Sequence, residues 1–311
     1  MGKRKETLHR LSDELFTSKL WSLDPDTMPS WEKRLVNFVK LLRTTFETFA
    51  ENRMGFQCVA LSYFVALATI PFAALLFAVT GGLGLRGQMQ EVLASLAPQF
   101  PDIVAFVSDK ANRIIESAQS GPVGLISALT FIWTILWLMF QVERVFNNVW
   151  CIRRVPRKIY KRFSFYLLAM LLLPFLVLIF GLGIAYMTNM PKLIGIDLSQ
   201  TRDIFTALGW IFFYIITTFT LSAMYKFIPA AKVHYINAIK SATVCGVFFC
   251  AFQYLYLETQ IFVSNLNGVY GALAAIPLFL IWTNISWQII IYGAELCYSF
   301  QKLERVDKSR N

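Results

Sequence analysis

Six apolar runs, each near the ~20 residues that a helix needs to cross a bilayer, dominate this sequence. They cover residues 56–83, 123–142, 164–188, 204–226, 239–263 and 269–298. The third is the cleanest: FSFYLLAMLLLPFLVLIFGLGIAY carries no charge. One such run could be a helix buried in a large soluble protein. Six of them in 311 residues could not. Composition agrees, with 56% apolar and 15% charged residues, where an ordinary soluble domain has about 25% charged. The expected fold class is all-α: a polytopic membrane protein with six transmembrane helices plus amphipathic interfacial helices. Residues 1–30 read as a polar cytoplasmic tail, 31–300 as the six-span membrane domain and 301–311 as a second cytoplasmic tail. The first run begins after about fifty polar residues, too late for a cleaved secretory signal, so it reads as a retained signal anchor. Glu6 stands where a myristoylation motif wants Ser or Thr, so lipidation is not expected.

The charges give an orientation. Lys and Arg total 29, Asp and Glu 19, for a net of +10. Twenty-four of the 29 basic residues fall in segments 1–55, 143–163, 225–240 and 298–311. The alternate segments 84–122, 189–203 and 264–268 hold five. Basic residues gather on the cytoplasmic side of membrane proteins, so both termini and the basic loops are placed there. The excess charge is thus topology and contact with anionic headgroups; nucleic acid is not an expected partner. Segment 143–163 adds Arg153, Arg154, Arg157, Lys158, Lys161 and Arg162 to Arg144, interleaved with Trp150 and Tyr160. Each basic residue near an anionic leaflet contributes ~1 kcal/mol, and those six are the candidate anionic-lipid contacts.

Two further helices are expected outside the spans. Residues 31–53 set Trp31, Leu35, Phe38, Leu42, Phe46 and Phe49 at helical spacing, with Lys33, Arg34, Lys40 and Arg43 largely elsewhere around the helix. Such a helix lies on the cytoplasmic leaflet or packs on the protein itself; both alternatives stand. The long outer loop 84–122 reads as helices 88–96 and 102–118 around the breaker Pro98-Gln99-Phe100-Pro101, ended by Ser120-Gly121-Pro122. Pro71, Pro174 and Pro277 fall inside spans one, three and six, where each removes a backbone hydrogen bond.

Ionisable groups in a span cost about 2.5–3.5 kcal/mol on insertion scales unless paired or hydrated, so they point to function. Glu143, Arg144 and Glu295 lie at similar depth near the cytoplasmic ends of spans two and six, where a Glu295–Arg144 pair either clamps the two spans as a plain salt bridge or forms a gate or proton site. Glu258 lies near the outer end of span five. Asn284 and Gln288, four apart, share a face of span six near mid-membrane; either they bond neighbouring helices or they line a hydrated cavity. Gln57 opens span one. The five cysteines form no CxxC pair and read as reduced thiols. No GxSxG, GxxxxGK[ST] or HExxH motif occurs, and His9 and His234 are the two histidines. No catalytic residue, metal or cofactor is expected.

Three patterns in order resemble the YihY/BrkB family of bacterial inner-membrane proteins: VALSYFVALATIPF at 59–72, QVERVFNNVWCIRRVPRK at 141–158, and YKFIPAAKVHYINAIKSATVCG at 225–246 followed by VYGALAAIPLFLIWTNISWQIIIYGAEL at 269–296. The resemblance runs over about residues 33–300 and leaves out the tail 1–30. It implies a six-span inner-membrane protein with both ends in the cytoplasm, and a transporter or flippase-like role toward a lipidic or amphiphilic solute. The alternative is a non-transporting envelope, assembly or virulence-associated factor. Some members have carried the label ribonuclease BN; two distant histidines do not supply a metal-dependent nuclease.

Overall fold

The computed structural model describes residues 30–82, 84, 87, 101–118, 122–152, 160, 163–164, 166–168, 198–264 and 268–310. Among the described residues the fold is all-helical, with no strand. The helices are α1 Ser30–Glu51, α2 Met54–Gly82, α3 Pro101–Ala118, α4 Pro122–Val149, α5 Leu198–Phe227, α6 Tyr235–Ser264 and α7 Gly268–Arg310. Pro101 and Pro122 open α3 and α4, where a missing N–H removes nothing the helix could use.

The exposed faces are apolar. On α2 the outward line is Phe56, Val59, Tyr63 and Leu67; on α4 it is Ile126, Leu129, Trp133, Trp137 and Phe140; on α5 it is Leu208, Ile211, Ile215 and Phe219. Phe56 is 77% and Phe219 74% exposed. The same spacing of three and four on a soluble helix marks the face turned inward. Here α6 turns Val244, Val247, Phe248 and Leu255 outward and buries Asn237, Ser241, Ala238, Ala242 and Cys245. Helices that hide small and polar residues and expose large apolar ones are stable in hydrocarbon, not in water. Among the described residues, four helical stretches are long and apolar enough to cross a membrane: Met54–Gly82, Ala207–Phe227, Tyr235–Thr259 and Ile276–Glu304. They answer to expected spans one, four, five and six. The second expected span is the 28-residue α4, outside those four. Most of the third, with Pro174, and the outer helix 88–96 lie outside the described residues.

α7 is the centre of the bundle and packs against α6, α2, α1, α4 and α5. The main core gathers Met54, Cys58 and Leu61 of α2, Val142, Val145, Phe146 and Val149 of α4, Leu221 and Tyr225 of α5, Ala238, Ala242 and Cys245 of α6, and Ile291, Ala294 and Cys297 of α7. These are the helix ends next to the α1–α2 turn, the α4 exit and the α5–α6 connection, so the basic-flanked segments meet at one end of the bundle, called here the junction end. A second core joins Ala73, Ala74, Leu76 and Phe77 of α2 to Ala111 of α3, at the other end.

The first amphipathic helix packs on the protein along one line of α1 and leaves an adjacent apolar line exposed. Val36, Leu41, Thr45 and Phe49 are buried, while Phe38, Leu42 and Phe46 are exposed. Phe49 stacks on Tyr292 of α7 with ring centroids 3.8 Å apart, and Phe46 meets the same ring edge-on. α1 gives way to α2 through Asn52 and Arg53, the latter at φ 49°. At the other terminus α7 continues to Arg310, so 301–310, expected as a cytoplasmic tail, is helical, and Gln301 is buried.

Candidate functional site

Polar side chains concentrate at the junction end, amid the main core. Glu143, Asn147, Asn237, Ser241, Glu295, Ser299, Gln301 and Thr45 are all buried. Burying polar groups costs stability unless they are hydrogen-bonded, and most of these hold one element to another. Asn147 Oδ1 accepts from the Ala230 N–H at 2.8 Å. Gln301 Nε2 donates to the Lys232 carbonyl at 2.8 Å, and its Oε1 accepts from the His234 N–H at 3.3 Å. The α5–α6 connection is thereby tied to α4 and α7 at once. Lys226 Nζ donates to the Val233 carbonyl and lies 4.7 Å from the Tyr235 ring centroid. Asn237 Nδ2 donates to Glu304 Oε2 at 3.0 Å. Ser241 Oγ donates to the Gly293 carbonyl, and Thr45 Oγ1 meets Ser299 Oγ at 3.3 Å.

Glu295 is different. It is 0% exposed, and neither carboxylate oxygen has a hydrogen-bond partner. The Asn52 side chain is the polar group that approaches it, short of hydrogen-bond geometry. From Asn52 a polar line leads outward: Gln57 Nε2 donates to the Asn52 carbonyl at 3.2 Å, and Asn148 Nδ2 donates to Gln57 Oε1 at 3.0 Å. Asn148 is exposed.

The expected Glu295–Arg144 clamp is not formed. Glu143 is buried and Arg144 exposed, because successive residues on a helix point about 100° apart and only one of the two can face inward. Glu258 is exposed on α6. Asn284 and Gln288 do share a face, and they bond each other, Gln288 Nε2 to Asn284 Oδ1 at 2.7 Å. Both are half-buried. The bond between α6 and α7 at mid-helix comes instead from Trp282 Nε1 to Gln253 Oε1 at 3.0 Å. Arg153, Arg154, Arg157, Lys158, Lys161 and Arg162 lie outside the described residues. All five cysteines are free.

Several residues of this layer escaped the sequence reading: Asn52, Asn147, Tyr225, Asn237, Ser241, Gly293 and Gln301. The signal was present as small or neutral polar residues four apart in apolar helices, Glu143 with Asn147 and Asn237 with Ser241. Fixed on charge, attention passes over them.

The Virulence factor BrkB family model matches residues 45–311. The chain belongs to this family. Among its relatives is a UPF0761 membrane protein of Haemophilus influenzae strain 86-028NP, 23% identical over 83% of this chain and 94% of that protein. A UPF0761 membrane protein of Azotobacter vinelandii is 26% identical over 85% of this chain and 64% of its own length. One from Psychrobacter sp. strain PRwf-1 is 25% identical over 88% of this chain and 50% of its own length. The BrkB match begins within α1 and takes in every helix from α2 to α7, and with the outward apolar faces it makes the chain a membrane protein. No solved structure matches it.

Proposed function

We propose that the chain is a six-span bacterial inner-membrane transporter or flippase-like protein for a lipidic or amphiphilic solute. It works without enzymatic chemistry or a cofactor, with both termini in the cytoplasm and its basic segments against anionic headgroups. The observation that carries this is the Asn284–Gln288 pair. Amides that glue helices bond across a helix interface. These two bond within α7, stay half-buried, and leave Asn284 Nδ2 without a partner. A polar surface inside an apolar bundle serves a headgroup or hydrated solute in passage. Ser286, on the same turn of α7, adds a buried hydroxyl without a partner.

The test is the purified chain in liposomes carrying a fluorescent phospholipid, with leaflet exchange read by quenching from outside. Exchange above the protein-free rate is expected, and Asn284→Leu with Gln288→Leu is expected to remove most of it. No exchange by the wild-type chain, or an undiminished rate in the double variant, overturns the proposal. A separate check addresses orientation. A reporter fused after residue 311 is expected to be active in the cytoplasm; activity outside reverses the topology.

A further inference from the structure

We propose that Glu295 is a proton-binding site, served from the junction end by the polar line Asn148–Gln57–Asn52. The site goes beyond the transport proposal and stands or falls apart from it.

Three features of the geometry lead there. First, Glu295 is fully buried with both oxygens unpartnered. A bare carboxylate in such a place is the most expensive state a side chain can adopt, and it is relieved by a cation, a hydrogen-bond cage or a proton. Second, the surroundings supply neither of the first two. Among the described residues the Asn52 side chain is the polar group that bears on it, and a sodium or calcium ion needs several oxygen ligands around it. Third, the Asn52 end of the site connects outward. Gln57 bonds the Asn52 carbonyl, and the exposed Asn148 bonds Gln57. A buried acid sealed among apolar side chains could not exchange its proton on a useful timescale. Asn52, through its main-chain carbonyl, Gln57 and the exposed Asn148 make a polar route for water from the surface toward that acid.

The other groups around α7 do not compete for this role. The titratable side chains that the packed elements bring to this core are Cys58 of α2, Glu143 of α4, Tyr225 of α5 and Cys245 of α6, with Tyr292 and Cys297 on α7 itself. From α1 and its turn, Glu51 and Arg53 flank Asn52; both are exposed, and Arg144 of α4 is exposed as well. No cation is held against Glu295 in an ion pair among the described residues. The α1–α2 turn carries Asn52 to Glu295: α1 rests on α7 through Phe49 and Thr45, and Arg53 holds the turn in a left-handed conformation. Loss of the proton leaves a charge that seeks water along the amide line, lifting α1 from Tyr292.

The experiment uses the full chain in lipid vesicles and infrared difference spectra between acidic and alkaline buffer. The wild type is expected to show a protonated-carboxyl stretch that disappears on alkalinisation. Glu295→Gln is expected to abolish that band, while Glu258→Gln leaves it. An unchanged band in a folded Glu295→Gln variant overturns the proposal. Should that variant fail to fold, the wild type decides: dicyclohexylcarbodiimide, which modifies protonated carboxyls in apolar surroundings, is expected to label Glu295 in the peptide map, less at alkaline pH. No label on Glu295 in the folded chain at any pH overturns it equally. Asn52→Leu is expected to slow labelling several-fold without removing it, a change that a merely structural role for Asn52 would not produce. These readouts follow a proton and not a lipid, so an inactive transporter with a titrating Glu295 is distinguished from an active one without it.

Discussion

Gly293→Ala is expected to destabilise the bundle by about 1–3 kcal/mol, the range for overpacking a close-packed core. In an exposed helix the same change would help, since glycine in a helix interior is worth about 1 kcal/mol less than alanine. The surroundings reverse the sign. A Cβ at Gly293 would run into the Tyr225 hydroxyl, lie 2.5 Å from Cys245 Sγ and 2.8 Å from Tyr225 Cζ. Tyr225 is 0% exposed, so its ring has nowhere to swing. The Gly293 carbonyl also accepts from Ser241, which pins α7 against α6 at this level and prevents a small retreat. The measurement is thermal unfolding in detergent. Tyr225→Phe in the Gly293→Ala background should recover part of the loss, because it removes the hydroxyl but not the ring carbon; the double-mutant cycle isolates that contact. At Gly209 in α5 an added methyl would meet nothing within 4 Å, and Gly209→Ala is expected to be neutral or slightly stabilising. Equal effects at Gly209 and Gly293 would show that helix propensity, not the close approach of α5, α6 and α7, governs both sites.

The contrast between these two glycines marks where sequence stops informing. Apolar length located the candidate membrane spans of α2, α5 and α6 to within four residues and that of α7 to within seven, because crossing a bilayer sets a minimum run of apolar side chains and nothing about partners. Helical spacing located α1 as well, but its apolar arc is wide enough to serve two surfaces. Only the packing of Phe49 on Tyr292 assigns one line of it to protein and leaves Phe38, Leu42 and Phe46 exposed. The candidate site was legible in depth and not in azimuth. Counting from span ends set Glu143, Arg144 and Glu295 at one level, and two of the three, Glu143 and Glu295, are buried. Which of two neighbouring residues turns inward depends on how α4 is rotated, and Val142, Val145, Phe146 and Val149 decide that together. The neutral members of the layer were invisible for a different reason. Asn147, Asn237 and Ser241 interrupt apolar helices too gently to register as costs, yet they carry the bonds between elements. The helical reach of α7 past residue 300 was hidden by its charge: Lys302, Glu304 and Arg305 read as tail, while Gln301 and Glu304 were already engaged with the α5–α6 connection and the start of α6.

That connection supplies the other large effect. Ile228–His234 has no regular structure of its own, and its backbone groups are satisfied from outside: the Ala230 N–H by Asn147, the Lys232 carbonyl and His234 N–H by Gln301. These bonds are part-buried, and losing one costs about 0.5–1.5 kcal/mol, the net worth of a typical hydrogen bond. Asn147→Leu is expected to fall in that range, with Gln301→Leu the larger because it removes two bonds. The two should also be less than additive. If the connection is one cooperative clip, the first substitution already frees the segment, and the second finds little left to lose. Amide hydrogen exchange over 228–234 reads this directly: faster exchange in either single variant across the whole segment, and little further change in the double. Exchange confined to Ala230 in Asn147→Leu, with strictly additive stability losses, would instead mean two independent anchors. The clip version has a consequence for motion. α5 and α6 would then shift together with α4 and α7 at the junction end, leaving the α1–α2 turn beside Glu295 as the part free to move alone.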